Sequence, residues 1–453
     1  MLRICARLLK KQWKKKNSMK NIDKIKKIRL KKLRNLEKAG INPFPAKVLR
    51  THTNQEALDN FSKLQKRKIT LVGRVRSIRS HGGSTFCHIE DGLAQIQIYL
   101  KQDKIGKKNY QLFLNNIDIG DFVEANGNLF KTKKGEKTLE VSKWRILVKS
   151  LLPLPEKWHG LKDIEERFRK RYLDLILNKE IKEKFKKRSE IITKIRQFLD
   201  NNGFLEVETP ELQTLAGGAK ARPFKTRLNA LNMDLYLRIA PELYLKRLLI
   251  GGFEKVYELG RTFRNEGMDR EHNPEFTMLE FYAAYWDYNK MMGFTEKLLK
   301  SLDNKTFKGR FKKAEYNKII RGDEKQAFAK IKGPTFVINH PVEISPLSKK
   351  LDKNPKKVAR FQLIVNGLEI ANGFSEINDP IDQKERFEAQ EKLRKKGDKE
   401  AHQYDKDFVE ALEYGMPPAA GIGIGIDRLV VLLTESRTLR EAILFPTMRP
   451  KKK

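Results

Sequence analysis

The chain has 453 residues, 39% hydrophobic and 34% charged, and 95 Lys and Arg against 57 Asp and Glu give it a net charge of +38. That length allows two domains with cores of their own. No apolar run approaches the roughly 20 residues of a membrane-crossing helix, so a spanning protein is excluded and a soluble, cytoplasmic one expected. The positive field attracts polyanions, nucleic acid ahead of a membrane surface. Cys5 and Cys87 alone provide no disulfide framework and no zinc spacing, which fits a reducing compartment.

Residues 1–50 read as a basic arm followed by a helix. The first twenty hold eight Lys or Arg and no acid, as an RNA-touching arm, a targeting presequence or a start that properly lies at Met19. The helix NIDKIKKIRLKKLRNLEKAG closes at Gly40, with Pro43 and Pro45 beyond it. Residues 51–150 follow. From Ile69 to Val148, short alternating strands (ITLVGRVRSIR, STFCHIEDG, AQIQIYL, GDFVEANGNLFKTKKGEKTLEVSKWRIL) predict a five-stranded closed barrel that binds oligonucleotides or oligosaccharides. Arg74, Arg76 and Arg79, then Phe86 and His88, then Gln95 and Gln97 are expected on one outer face, where aromatic and guanidinium planes stack unpaired bases. The competing reading puts Phe86 in the barrel core.

LLPLPEKWHG, within 151–165, is a proline-broken linker. The domain 166–453 opens with two helices, DIEERFRKRYLDLILN and KEIKEKFKKRSEIITKIRQFLDNNG, the second buried along Phe185, Ile191, Ile192, Ile195, Phe198 and Leu199. GFLEVETPEL reads as a strand ending at Pro210. A glycine loop at Gly217 and Gly218 precedes Lys220 and Arg222, without the Gly-Lys-Ser/Thr of a phosphate-binding P-loop. LYLRIAPELYLKRLLIGG is a strand and a helix with Glu242 in its first turn, where an acid also simply complements the helix dipole.

YELGRTFRNEGMDREHNPEFTMLEFY (257–282) is a hairpin around a charged loop. Arg264 and Glu266 share one face, as do Phe276, Met278, Glu280 and Tyr282. Such a face suits a small zwitterion and a phosphate, though one antiparallel face often just meets water. Residues 286–360 predict only one or two short helices. RFQLIVNGLEIANGF has an Asn-Gly turn at 366–367, and Glu369 and Glu376 bracket a second Asn-Gly. Their odd separation would put them on opposite faces of an ideal strand, so a site shared by both would need the second Asn-Gly to bend the chain. Residues 380–414 read as solvated helices with Phe387, Leu393, Phe408 and Leu412 inward. Last, Gly421, Gly423 and Gly425 alternate with Ile422, Ile424 and Ile426, leaving one strand face bare for a flat ring. Asp427 is expected to cap the helix carrying Arg428.

GFLEVETP (203–210), FRNEGMDREHNPEFTMLEFY (263–282) and GIGIGIDR (421–428) resemble the three signatures of class II aminoacyl-tRNA synthetases. GGAKARPF, APELYLKRL, ANGFSEIND and LFPTMRP are closest to the lysyl-tRNA synthetase family. The resemblance runs from about residue 20 to 450. It implies an α+β architecture: an OB-type anticodon-binding barrel and a catalytic domain built on an antiparallel sheet flanked by helices. It further implies ATP, L-lysine and tRNA(Lys) as partners, Mg²⁺ with the ATP, a homodimer and no membrane.

By the same resemblance, Arg264 holds the α-phosphate and carboxylate, Phe276 and Arg428 sandwich adenine, and Glu266, His272 and Asn273 lie near the nucleotide. Arg264, Glu266 and Arg428 are thus the implied catalytic residues. Glu369 and Glu376 bind Mg²⁺. Glu242, then Glu280 and Tyr282, hold the lysine side chain, with Gly218 and Asn378 at its other end. Arg79, Phe86 and Gln97 read the anticodon. Two other readings remain: a paralogue lysylating a translation elongation factor, which the intact barrel argues against, and an inactive RNA-binding relative. The stretch between Tyr285 and Pro341 is shorter than the resemblance implies.

Overall fold

A computed structural model describes residues 21–155, 163–398 and 400–451. The basic stretch 1–20 and the 156–162 part of the linker lie outside the described residues. The chain divides into two compact units, Met1–Gly160 and Leu161–Lys453.

In the first unit, strands Ile69–His81, Ser84–Glu90, Gln95–Lys101, Lys137–Val148 and Phe122–Lys131 close, in that order, into a barrel. Alternation fills it: Leu71, Val75, Cys87, Ile89, Ile96, Ile98, Val123, Leu139 and Val141 are buried, as period-two patterning requires. Gly73 allows a close strand crossing, since a Cβ there would lie 2.8 Å from the Glu90 backbone nitrogen. A helix, Lys107–Asn116, lies between strands Gln95–Lys101 and Phe122–Lys131 in the chain and packs Phe113 edge-on to Trp144, with ring centroids 5.1 Å apart. Its polar sequence, KKNYQLFLNN, hides the apolar pair that anchors it, so the sequence pattern missed it.

The second unit is an eight-stranded sheet in the order Lys312–Glu315, Pro334–Ile338, Arg360–Val365, Leu368–Ser375, Ala419–Gly425, Glu275–Ala284, Lys255–Phe263, Leu205–Glu206. Only the outermost pair at each edge is parallel. Helices Lys179–Asn201, Tyr288–Leu302 and Ile426–Leu433 supply apolar residues to the main core along one side of the sheet, with Phe281, Leu363, Ile422 and Ile424 beneath them. Burying that side leaves the alternate residues of the same strands to form the site.

Several expectations are corrected. GFLEVETPEL contributes the two-residue edge strand Leu205–Glu206, after which the Val207 N–H still donates to the Tyr257 carbonyl at 2.9 Å, and Leu212 opens a separate strand, Leu212–Gln213. Residues 164–177 form two short helices broken at Lys170. The 286–360 segment holds, besides the short helices Tyr316–Ile319 and Glu324–Ala329, a 15-residue helix, Tyr288–Leu302, two strands of the main sheet and the paired strands Lys350–Leu351 and Asn354–Val358. Met291, Met292, Thr295, Leu298, Leu299 and Leu302 give that helix its buried stripe, a period the surrounding lysines mask. Leu393 faces solvent at 46% exposure. Asp427 does not cap its helix: the cap is Gly425, and Asp427 instead accepts from the Thr277 N–H at 3.0 Å and pairs with Arg188. The parity of Glu369 and Glu376 is adjusted at Ile370, where the register against Leu363 and Ile364 slips by one, rather than at Asn372-Gly373.

Candidate active site and nucleic-acid face

Strand Ala419–Gly425 lies at the centre, between Glu275–Ala284 (Gly423 opposite Glu280, Gly421 opposite Tyr282) and Leu368–Ser375 (Gly423 opposite Asn372). Ile422 and Ile424 point into the core, each 1% exposed, so the glycines must face the other way. Above them opens a cavity of about 390 Å³, lined by Gly218, Glu242, Arg264, Glu266, His272, Asn273, Phe276, Glu280, Tyr282, Glu369 and Arg428 among others. Gly423 and Gly425 leave its floor bare. A side chain at Gly421 would collide with the Tyr282 ring and Glu376 Oε1.

Arg264 lies over the Phe276 ring at 5.2 Å, and its Nε has no hydrogen-bond partner. Burial lowers its pKa against the pull of Glu266 and Glu280. Glu266 accepts from the Arg222 N–H at 3.3 Å. Arg428 Nη1 donates to the Glu369 carbonyl at 3.1 Å and approaches its carboxylate at 3.3 Å, while Nη2 meets His272 Nε2 at 3.2 Å. The other His272 nitrogen is 2.9 Å from Asp269. The Asn273 side-chain amide donates to the Glu275 carbonyl at 2.6 Å, and its oxygen is unpartnered. Two guanidiniums and an aromatic plate beside a bare floor suit a flat base and a phosphate.

Deeper in, Glu242, Glu280 and Glu376 are 6%, 4% and 1% exposed. Lys246, fully buried, donates to Glu242 at 2.5 Å and ion-pairs with Glu376. Burial alone would lower the Lys246 pKa; the two carboxylates outweigh it and raise it. Burial raises Glu242 and lifts Glu376 well above the usual range despite Lys246. Among the described residues, Glu280 accepts only from the Tyr282 hydroxyl, at 2.9 Å. Burial and then the Glu242 charge push its pKa up to about 8. Arg264 and Arg360 act on Glu280 and Glu242 through space, with no hydrogen bond to them among the described residues. Three buried acids thus share one bonded ammonium, and an added ammonium would complete them. Gly218 (φ +85°) brings its loop against this cluster, where a Cβ would sit 2.9 Å from that of Glu242.

Glu369 lines the cavity, and Glu376 Oε1 is buried without a hydrogen-bond donor. Of the two, only Glu369 opens to the cavity and fits Mg²⁺ there; Glu376 lies beneath the lining and is ion-paired with Lys246, so it does not fit that role. Among the described residues no three His, Cys, Asp or Glu converge on a metal position, so further ligands must come from bound phosphates or water.

On the barrel, Arg79, Phe86 and Tyr99 stand in one cross-strand row and Ser77, His88, Gln97 and Thr138 in the next. Phe86 points outward, half-buried, and stacks on Tyr99 at 4.7 Å, with Phe130 6.0 Å beyond. Arg79 is exposed. Gln97 donates to Glu136 at 2.8 Å, as far as His88 lies from the same carboxylate. Arg74 is set aside from this face: it lies over Phe122 at 4.3 Å and donates to the Gly120 carbonyl.

Residues 163–449 match the class II tRNA synthetases (D, K and N), and residues 69–147 match the OB-fold nucleic acid binding domain. A lysine–tRNA ligase of Carboxydothermus hydrogenoformans is 50% identical over 95% of this chain and 99% of its own length. Those of Bacillus cytotoxicus and Thermotoga maritima are 46% and 45% identical over 94% and 95% of the chain. The chain belongs to the class II lysine–tRNA ligase family.

Against the site residues that the family resemblance implied, the structure gathers all the cavity positions except two. Asn378 does not line the cavity: its amide accepts from Lys349 at 2.7 Å and donates to the Met416 carbonyl at 3.2 Å. Glu376 sits beneath the lining, against Gly421. Sequence reasoning missed Lys246, Arg360, His402 and Tyr99. Lys246 follows Glu242 by four residues on a helix, a legible pairing. Tyr99 shares the alternation of Gln95 and Gln97. Arg360 and His402 line the cavity from distant segments, and no local signal marks them.

Proposed function

We propose that this protein activates L-lysine with ATP and transfers it to tRNA(Lys). The observation that carries this reading is the buried acid cluster, one bonded ammonium short, beside two arginines and a bare glycine floor. A cavity for an acidic amino acid would need surplus cations there instead.

The lysine carboxylate oxygen attacks the α-phosphorus, the bond to the β-phosphate breaks, and pyrophosphate leaves lysyl-adenylate. A terminal ribose hydroxyl of the tRNA then attacks the acyl carbon and AMP departs. Neither step needs a protein nucleophile, so positioning and charge do the catalysis. Arg264 draws the two anions together and meets the charge that develops on phosphorus. Phe276 and Arg428 sandwich adenine, while Glu266, His272 and Asn273 fix its edge and the phosphates. Glu369 would hold Mg²⁺ at the cavity wall, and the ion would neutralise the phosphates. Glu280 with Tyr282, and Glu242 beside Gly218, take the two ammonium groups of the substrate.

On the barrel, Arg79, Phe86 and Gln97, with Tyr99, read the anticodon of a cytoplasmic tRNA. A homodimer is supported by exposed Leu205 and Leu212 around the edge strand, 49% and 48% accessible. ATP–pyrophosphate exchange with each of the twenty amino acids, then charging of tRNA(Lys), tests the reading. Lysine-specific exchange with charging is expected; exchange without charging points to an elongation-factor substrate, and no exchange to an inactive relative.

A further inference from the structure

Outside the cavity lining, one arginine ties together three of the elements that build it. Arg188 stands on the Lys179–Asn201 helix with its side chain 15% exposed. Its Nη1 lies 2.5 Å from Asp427 Oδ1 and donates to the Ala442 carbonyl at 3.2 Å, while Nη2 donates to the Thr277 hydroxyl at 3.0 Å. Asp427, 2% exposed, accepts from the Thr277 N–H at 3.0 Å through its other oxygen. Thr277 follows Phe276 on its strand, and Asp427 precedes Arg428 on the Ile426–Leu433 helix. The two side chains that Arg188 joins are therefore the chain neighbours of the two groups read as the adenine sandwich. Lys184 and Lys187, on the same helix as Arg188, already reach Glu441 at 3.3 Å and the Leu433 carbonyl at 2.6 Å. The helices thus stay packed without Arg188, and a buried ion pair is in any case a weak stabiliser. What Arg188 adds is direction, because a planar guanidinium holds two partners at a fixed angle.

We infer that Arg188 is a positioning residue that sets the gap between Phe276 and Arg428, and so the width of the slot for a flat base. The role rests on the reading of those two residues as the nucleotide clasp and deepens it. They come from different elements, a strand and a helix, so nothing local fixes their separation. Stacking needs that separation held closely, since a gap of about 0.5–1 Å forfeits roughly a quarter to a half of a van der Waals contact. Arg188 and Asp427 form the cross-link beneath the slot, one contact removed from the ring they would steady.

Variants of the full chain separate this role from general support. Arg188→Met keeps most of the volume without the charge, Arg188→Lys keeps the charge with one nitrogen for both sides, and Asp427→Asn removes the opposite charge at constant shape. Calorimetry on each gives affinities for ATP, for inorganic tripolyphosphate, which lacks the base, and for lysine. Arg188→Met and Asp427→Asn are expected to weaken ATP about tenfold, the scale of coupling within one salt-bridge network. Tripolyphosphate and lysine should stay within about twofold. The double variant should bind ATP no more weakly than the worse single one, and Arg188→Lys should fall between wild type and Arg188→Met. Millimolar ethylguanidinium, which matches the side chain beyond Cβ, should restore ATP binding to Arg188→Ala, and tetramethylammonium should not.

Wild-type ATP affinity in Arg188→Met and Asp427→Asn overturns the inference, as does a loss in Arg188→Ala that ethylguanidinium leaves untouched. Equal losses for ATP and tripolyphosphate also count against it, as general damage to the cavity. So do additive losses in the double variant, because residues that act through one contact must be coupled. Should Arg188→Met fold poorly, Asp427→Asn decides alone: a loss confined to ATP supports the role, and any other result removes it. A wild-type chain that binds tripolyphosphate as tightly as ATP sinks the adenine clasp itself; one that prefers ATP alongside indifferent variants sinks only the role of Arg188.

Discussion

The cavity and the barrel face meet their ligands by opposite physical means. In the cavity, carboxylates are buried with fewer bonded cations than they need, and Glu280 is held near pKa 8 by burial and by Glu242. On the barrel, Phe86 and Tyr99 already stack on each other, and Gln97 and His88 already have Glu136. The first site is incomplete until a particular charge arrives. The second is complete: Phe86 and Tyr99 offer half-buried planes, while the Gln97 amide is buried and already bonded to Glu136 and Thr138. Selectivity for a small cation belongs with the first arrangement, because desolvated charge discriminates steeply. Tolerant, additive recognition of bases belongs with the second.

Substitutions sharpen that contrast. Arg264→Gln should lower pyrophosphate exchange by about 100- to 1000-fold, the scale of losing one charge-stabilising donor, with the barrel's hold on tRNA unchanged in filter binding. Glu280→Gln should raise the lysine KM by roughly 30- to 100-fold and leave the ATP KM nearly alone, as expected when a buried ammonium loses its charged partner. Equal shifts in both constants would remove Glu280 from the lysine pocket. Phe86→Ala should cost about 1–3 kcal/mol in tRNA affinity while exchange stays intact; a collapse of exchange would mean that damage at Phe86 is not confined to the barrel.

The raised pKa of Glu280 has a definite sign. An ammonium binds the carboxylate form, and below pH about 8 the empty site holds a proton there. Lysine binding should therefore tighten by up to about tenfold per unit between pH 6 and 8 and level off above, with proton release visible in buffer-dependent calorimetry. The ligand-free protein should show the opposite trend in stability over the same window, because an acid with a raised folded pKa stabilises only while protonated. The smallest effect belongs to the barrel: Glu136→Gln, at a partly exposed carboxylate, should change tRNA affinity by about 1 kcal/mol or less.

A pair of glycine substitutions tests the floor of the cavity. Gly421→Ala drives a methyl into Tyr282 and Glu376, whereas one at Gly423 comes no nearer than ordinary contact, with Met278 Sδ at 3.6 Å, Glu280 Cγ at 3.7 Å and the Asn372 carbonyl oxygen at 4.0 Å. The first should abolish soluble activity. The second should fold and raise the ATP KM, since the methyl thickens a floor meant for a flat ring.

The five barrel strands, the charged hairpin and the glycine strand were legible because period-two alternation survives in each of them. The Tyr288–Leu302 helix was not, because lysines on its wet side drown the apolar stripe that packs it. The break at Lys170 between the 164–177 helices and the shortness of the edge strand at Leu205 left no mark in the hydrophobic pattern. Among site residues, those spaced by two along one strand (Phe276, Glu280, Tyr282) could be grouped in advance. Arg360 and His402 come from segments whose approach depends on the whole sheet.

The chemical inventory was thus set by the sequence: which side chains alternate, which glycines leave a face bare, which acids and arginines the site can draw on. Only the tertiary structure decided how those charges pair. Lys246 takes Glu242 and Glu376, Glu280 is left to Tyr282, and a one-residue slip at Ile370 brings Glu369 to the cavity. Pairing depends on distances of a few ångströms in a medium that screens poorly, and such distances arise between segments far apart in the chain.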